Sequence, residues 1–278
     1  MLKILAKLGL KGHLPKYIQN FLTDCRIRVR IGDALSQPYV LENGLPQGSV
    51  LSCLLFSLVI NSIFEGIEDI FKSLFCDDGL FWAVDYSLEV AVARVQRALD
   101  CIAEWCDFNG PKLSPSKTHY VVFTKRKVPY DPVLSFRGTN LTRKRSVRYL
   151  GVIFDQGLTW GPHIDDVVSR CKHPLQILQY VSKSNYGGDR ASLRMVFIAL
   201  VRSKMEYACM LFSNAAPTHL LKLDRVQYAG IRLLSGNYLS TVTDNLEAEA
   251  HLMPLAFRRE LLALRYFGRV RRVPRHPV

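Results

Sequence analysis

The sequence predicts an α+β fold, with an antiparallel sheet and packed helices over residues 1–157 followed by an all-helical region over 158–278. Three observations carry this. Short runs rich in Phe, Leu and Val meet at Asp78-Gly79, the strongest short-range hairpin signal in the chain. Apolar residues recur at helical spacing through Leu88, Val92, Val95, Leu99, Ile102 and Trp105. From Trp160-Gly161-Pro162-His163-Ile164 onward helical patterns dominate, as in Leu193, Val196, Phe197, Leu200, Val201, Tyr207 and Leu211.

Taken in order, Leu2, Leu5 and Leu8 mark a first helix that Gly9 and Gly12 break, and a second runs from Pro15 to about Thr23. Ile27, Val29 and Ile31 alternate with Arg26, Arg28 and Arg30, which predicts a half-buried strand ending at Gly32-Asp33. The stretch Glu42-Asn43-Gly44-Leu45-Pro46-Gln47-Gly48-Ser49 follows. Its glycines around Pro46 and Gln47 make a tight loop where backbone can approach a ligand, and Ser49 is placed to cap the next helix. That helix, over 50–64, is too short and too interrupted by Ser52, Ser57, Asn61 and Ser62 to span a membrane, so it reads as buried. The hairpin of residues 70–84 carries Asp77 and Asp78 at its tip. Ser87 then caps a helix that Asn109-Gly110-Pro111 ends. Residues 112–118 lead into an alternating strand over 119–124, and Val147 to Asp155 reads as a further apolar strand with a central Gly151.

At 278 residues and 49% hydrophobic, the chain can bury one large core or two smaller ones, and nothing in it suggests disorder. Its 37 Lys and Arg against 24 Asp and Glu leave a net +13, which favours a polyanionic partner through release of condensed counterions. The basic residues cluster at Arg26-Arg28-Arg30, Lys125-Arg126-Lys127, Arg143-Lys144-Arg145-Arg148 and Arg265-Arg269-Arg271-Arg272-Arg275. The seven cysteines are odd in number and form no Cys-x-x-Cys pair, so they read as buried thiols of a reducing compartment. With no secretory cleavage site near Met1, an intracellular protein of cytoplasm and nucleus, without a membrane partner, is expected. Walker loops, dinucleotide fingerprints and Gly-x-Ser-x-Gly elbows are missing from the sequence, and His163, His173 and His251 are too dispersed to suggest a metal site.

Adjacent carboxylates on a turn repel each other and are natural oxygen ligands for a hard cation such as Mg²⁺, with Mn²⁺ as a substitute. An isolated Asp-Asp-Gly is more often a solvated turn, so weight falls on what surrounds it. The order Gly44-Leu45-Pro46-Gln47-Gly48-Ser49, apolar helix, Phe75-Cys76-Asp77-Asp78 resembles the palm of reverse transcriptases, most of all those of non-LTR, LINE-like and jockey-related retrotransposons. Either half alone is weak, whereas both in this order are specific. The likeness continues through Leu223-Asp224-Arg225-Val226-Gln227 and Arg258-Arg259-Glu260-Leu261-Leu262, so it covers nearly the whole chain.

The resemblance implies a partial right-hand polymerase palm with its primer-grip hairpin, then a helical thumb and connection. It implies RNA-directed DNA polymerase activity by two-metal nucleotidyl transfer, with RNA template, DNA primer and deoxynucleoside triphosphates as partners. Asp77 matches the principal metal-ligating acid and Asp78 its neighbour. Gly44, Pro46, Gln47, Gly48, Ser49 and Phe75 match positions that frame the nucleotide and template. Lys117 matches a lysine near the leaving pyrophosphate, and Tyr149, Leu150 and Gly151 fall in the hairpin that grips the primer. A further acid, on a strand preceding this chain, and a fingers domain belong to the family pattern. The alternative is a catalytically dead, nucleic-acid-binding remnant of a mobile element.

Overall fold

A computed structural model describes residues 2–7, 9–41, 44–126, 130–183 and 188–273. Helices and two-stranded sheets alternate in it, the α+β mixture that the patterning predicts. The chain forms two compact units, Met1–Thr118 with Tyr130–Thr142, and His119–Pro129 with Arg143–Val278. Residues 146–155, which precede the boundary expected near 157, cluster with the second unit. Among the described residues no helix is long and apolar enough to cross a membrane.

In the first unit, α1 (Leu2–Lys7) and α2 (His13–Leu22) bury Leu5 and Ile18 against Leu55, and Leu45, Leu51 and Leu58 close round them. Next comes a ribbon in which β1 (Arg26–Ile27), β2 (Arg30–Ile31), β3 (Ala34–Leu35) and β4 (Tyr39–Val40) pair antiparallel, β1 with β4 and β2 with β3. The half-buried strand expected here is absent: Ile27, Val29 and Ile31 are 45%, 60% and 78% exposed. Two strands alone supply no layer under which one face could be buried.

Helix α3 (Val50–Ile60) continues into a 3₁₀ turn, Asn61–Phe64. Ser49 occupies its N-cap but makes no capping hydrogen bond. Strands β5 (Phe71–Phe75) and β6 (Asp78–Trp82) follow, then α4 (Leu88–Asn109), which ends at Gly110 with φ 90°. Ser87, also expected to cap, gives α4 no side-chain hydrogen bond. The Trp105 indole on α4 donates to Ser62 Oγ at 3.0 Å. Of the strand expected over 119–124 only β7 (His119–Tyr120) is regular, and it belongs to the second unit. The first unit closes with β8 (Ser135–Phe136) and β9 (Thr139–Asn140), where the Gln96 amide exchanges two hydrogen bonds with the Ser135 backbone, each 2.9 Å.

After β10 (Thr142–Arg143), the second unit opens on a hairpin of β11 (Ser146–Tyr149) and β12 (Val152–Asp155), so the strand read from the residue pattern over 147–155 is two, forming a hairpin as the resemblance implies. Helices α5 (Gly161–Val181) and α6 (Arg190–Phe197) come next, and a π turn, Ile198–Arg202, leads into α7 (Ser203–Glu206). The chain then forms α8 (Pro217–Ser235), α9 (Thr243–Glu249) and α10 (Leu255–Val270). Ile164, Val167, Phe197, Val201, Phe212, Leu223, Ile231 and Leu246 meet in one core, and Val152 ties the hairpin to it. The turn before α5 is pinned by Asp155, whose carboxylate accepts from Thr159 N (3.0 Å), Thr159 Oγ1 (2.9 Å) and Trp160 N (2.9 Å).

Candidate active site

The acidic hairpin is built from its base upward. Alternation puts Lys72, Leu74, Gly79 and Phe81 on one face of β5–β6 and Phe71, Phe75, Asp78 and Trp82 on the other. The first face is anchored: the Phe81 ring meets Phe64 edge-on at 6.1 Å, and Lys72 Nζ donates to the carbonyls of Phe64 (3.0 Å) and Ile67 (3.3 Å). The second is open, with Phe71 stacked on Trp82 at 5.5 Å and Phe75 59% exposed.

The tip differs from the expected one. The Asp78-Gly79 signal does not form the turn; Cys76-Asp77 does, with Phe75 paired to Asp78 and Leu74 to Gly79. Cys76 takes the left-handed conformation at φ 54°, which lets two residues reverse the chain. Asp77 therefore sits in the turn and Asp78 opens β6, both exposed. Neighbouring carboxylates on a short turn are suitable oxygen donors for a divalent cation. Among the described residues no group of three or more His, Cys, Asp or Glu side chains could hold a metal ion.

In the glycine loop Gly44 and Gly48 have φ 105° and 91°, a region that L side chains rarely adopt. Leu45 holds the loop to the Leu5–Ile18–Leu55 cluster, and Ser52 Oγ donates to the Pro46 carbonyl at 2.6 Å. Gln47 is exposed and Ser49 partly so. Glu42 and Asn43, like Lys127 and Arg275 of the basic clusters, lie outside the described residues. Loop and hairpin are covalently coupled through α3 and its 3₁₀ extension, because Phe64, the last residue of that turn, is the one on which Phe81 packs. Lys117 is exposed in a separate turn of the first unit, its N–H bonded to the Ser114 carbonyl at 3.1 Å.

The residues matched to the primer grip lie in the second unit. Leu150 and Gly151 form the two-residue turn of β11–β12 with φ 45° and 80°, both positive as a type I′ turn requires, and Tyr149 pairs with Val152. Tyr207 holds this turn: its hydroxyl donates to the Leu150 carbonyl at 2.7 Å, and its ring stands 3.4 Å from where a Cβ on Gly151 would be. Sequence reasoning missed Tyr207, which it placed among apolar helical positions. It also missed Lys72, although a lone lysine in an apolar strand was a visible signal.

A paired-acid hairpin behind a glycine-framed loop and an apolar, partly buried helix is the arrangement expected of one class, that of polymerases which copy a nucleic-acid template. The family model described as reverse transcriptase (RNA-dependent DNA polymerase) matches residues 2–154, and the chain belongs to that family. Among similar proteins, the "Probable RNA-directed DNA polymerase from transposon BS" of Drosophila melanogaster is 26% identical over 265 residues, 92% of this chain and 29% of the relative. The "RNA-directed DNA polymerase from mobile element jockey" of Drosophila funebris is 23% identical over 274 residues, 95% of this chain and 30% of the relative. A third, from transposon X-element of Drosophila melanogaster, is 24% identical over 239 residues, 83% of this chain and 26% of the relative. The lineage is that of LINE-like, non-LTR elements, and the chain spans under a third of the length of these relatives.

Proposed function

We propose that this chain is the palm, primer grip and thumb segment of an RNA-directed DNA polymerase, with residues 1–157 forming the first two and 158–278 the helical thumb and connection. The observation that carries the reading is the two-residue turn that presents Asp77 and Asp78 to solvent from an anchored hairpin, inside the segment that matches the family. The reaction is transfer of a nucleotidyl group from a deoxynucleoside triphosphate to the 3′-hydroxyl of a DNA primer on an RNA template. Asp77 and Asp78 would hold Mg²⁺, or Mn²⁺ in its place, and such ions supply charge neutralisation at the attacking and leaving oxygens. The turns at Gly44 and Gly48 bring backbone close to the nascent base pair without a Cβ in the way, and Gln47 offers an amide to it. Phe75, exposed beside Asp78, flanks the nucleotide. Lys117 provides a cation for the departing pyrophosphate. The Tyr149-Leu150-Gly151 turn, fixed by Tyr207, supports the primer strand.

The test uses the complete element protein, with whatever segments adjoin this chain. Primer extension on RNA with Mg²⁺ is expected, and Asp77→Asn abolishes it while leaving binding of the template–primer intact. Extension that survives Asp77→Asn overturns the assignment. The net +13 favours a second reading, a nucleic-acid binder without polymerase activity. It predicts salt-sensitive binding of RNA and DNA that is indifferent to Mg²⁺ and no extension by any version of the protein.

A further inference from the structure

Helix α10 is apolar on two opposite sides. On one, Leu255 and Arg259 are buried and Leu262 packs against the second unit's core. With successive residues turned by about 100°, Leu264 stands about 180° from Leu255, and Phe257, Glu260, Phe267 and Arg271 gather round it within an arc of about 80°. Phe257, Leu264 and Phe267 are 64%, 63% and 56% exposed, and Glu260 and Arg271 are exposed as well. A helix lying on a globular unit needs only the first side. Residues 257, 260, 264, 267 and 271 alternate steps of three and four, which is the spacing of a seam between two helices. Gly268 lies beside Phe267, and nothing would lie within 4 Å of a Cβ there, so a second backbone can come close.

The two charges in this seam decide what fits it. The helical neighbours of Glu260 are Ala256, Phe257, Ala263 and Leu264, and none is a cation. Arg271 follows Phe267 and Gly268 by four and three residues, so no acid lies beside it on the helix either, and its guanidinium is held over the Phe267 ring at 5.2 Å. About 16 Å of helix separates the two charges, too far for them to meet within one copy. Two copies of α10 in antiparallel register, with the twofold axis between residues 265 and 266, set Glu260 of each opposite Arg271 of the other. The same register sets Leu264 of each opposite Phe267 of the other. Slipping the pair by one heptad would place Glu260 against Leu264 and leave an acid covered and unpaired, whereas a parallel pair would set each charge against its like.

We propose that the outer face of α10 is a self-association surface, covered by the same face of a second copy of this chain in antiparallel register. Charge complementarity of the face with itself selects this occupant: Leu264 and Phe267 supply the apolar contact, and the two Glu260–Arg271 pairs fix direction and register, as charged groups in an apolar seam do at some expense of affinity. Each copy offers on the order of 300 Å² of exposed apolar surface on this face. That places the contact among small, reversible interfaces, with a dissociation constant on the order of 10 μM. Association of this kind is independent of the polymerase reading, and its test involves neither nucleotides nor extension.

The experiment is sedimentation velocity of the full chain between 1 and 200 μM, freed of nucleic acid, with its thiols kept reduced. Sodium chloride at 300 mM screens the repulsion between two copies of net charge +13. The parent is expected to pass from monomer to dimer across this range. Leu264→Glu puts an acid at the centre of the seam in both copies and should weaken the dimer at least on the order of 100-fold, leaving monomer throughout. Glu260→Arg alone and Arg271→Glu alone each set like charges together twice per dimer and should weaken it on the order of 10-fold. Mixed in equal amounts, these two variants should associate with parental affinity, because every facing pair is then of opposite sign. All three altered side chains are exposed, so each variant should melt with the parent. A parent that stays monomeric at 200 μM overturns the proposal and leaves the face to another polypeptide. A dimer that Leu264→Glu does not weaken overturns it in favour of a different surface, and a mixture no tighter than either charge variant alone overturns it by denying the antiparallel register.

Discussion

Gly230, in the middle of α8, should be nearly irreplaceable. A Cβ added there would stand 2.6 Å from Cδ2 and 3.0 Å from Cζ of Phe197, and closer still to Cε2. Phe197 is fully buried in the second unit's core and cannot swing away without displacing its neighbours. For Gly230→Ala, helix propensity favours the substitution by about 1 kcal/mol. Overpacking a filled core costs up to about 3 kcal/mol. The net loss is then about 2 kcal/mol, which for a unit of this size lowers Tm by roughly 4–8 °C. Thermal unfolding followed by circular dichroism measures it, and the double variant Gly230→Ala/Phe197→Leu checks the cause. Shortening the ring makes room for the methyl, so the two changes together should cost at least about 1 kcal/mol less than their sum. A neutral or stabilising Gly230→Ala, the usual result at an open helix glycine, would refute the reasoning.

Asp155→Asn leaves an amide N–H₂ facing donors that the carboxylate now satisfies, and should cost about 1–3 kcal/mol in denaturant unfolding. Burial pushes the Asp155 carboxyl up, but the bonds from Thr159 and Trp160 outweigh it and leave it below its usual range. Its contribution is thus present above the unfolded carboxylate's pKa and lost as pH falls through the lower folded one, so the gap between parent and Asp155→Asn should shrink in acid. Glu206 is likewise held low, its burial overcome by hydrogen bonds from Arg258 and Arg202. Since the Arg202 side chain is only 5% exposed, Glu206→Gln leaves a buried cation without its counter-charge, with the Met253 carbonyl still accepting from it at 2.7 Å, and should cost about 3 kcal/mol by chemical denaturation. Tyr207→Phe removes one hydrogen bond, costs about 1 kcal/mol, and should speed amide exchange at Val152 with little change elsewhere.

What the sequence made legible depended on how local the determining physics was. Gly110 ends α4 as expected, because a helix stop is written within a few residues. The glycine loop and the paired-acid hairpin were likewise visible, since Gly44 and Gly48 are needed for their own backbone angles. The turn itself was misplaced by two residues: Asp78-Gly79 is the stronger local signal, but pairing Phe71 with Trp82 and Lys72 with Phe81 fixes a register that leaves Cys76-Asp77 to reverse the chain. The arginine ribbon was misread because alternation reports two faces, not whether a layer exists to cover either. Ser49 and Ser87 were placed at N-caps correctly, yet neither Oγ accepts a capping backbone N–H, since residue type alone does not fix the side-chain rotamer. Tyr207 could not be found at all, because its partner carbonyl is 57 positions away in sequence.

The acidic hairpin divides its labour by height. Its lower part is fixed by Phe81 on Phe64 and by Lys72 on two carbonyls, whereas the acids at its tip are exposed. Stability and chemistry should therefore separate by substitution. Asp77→Asn removes a solvated charge from a turn and should change unfolding free energy by under about 0.5 kcal/mol. Lys72→Met removes the ammonium donor from the Ile67 carbonyl and leaves the Phe64 carbonyl with the Ile67 N–H at 3.4 Å, and should destabilise the first unit by about 1–3 kcal/mol while both carboxylates stay in place. In the complete element protein the first variant should lose extension at every temperature, and the second should retain it at 20 °C and lose it on warming, as the hairpin's anchorage fails. Equal loss of extension in the cold by both variants would mean that Lys72 acts on the reaction itself, and the division between anchoring face and acidic tip would have to be abandoned.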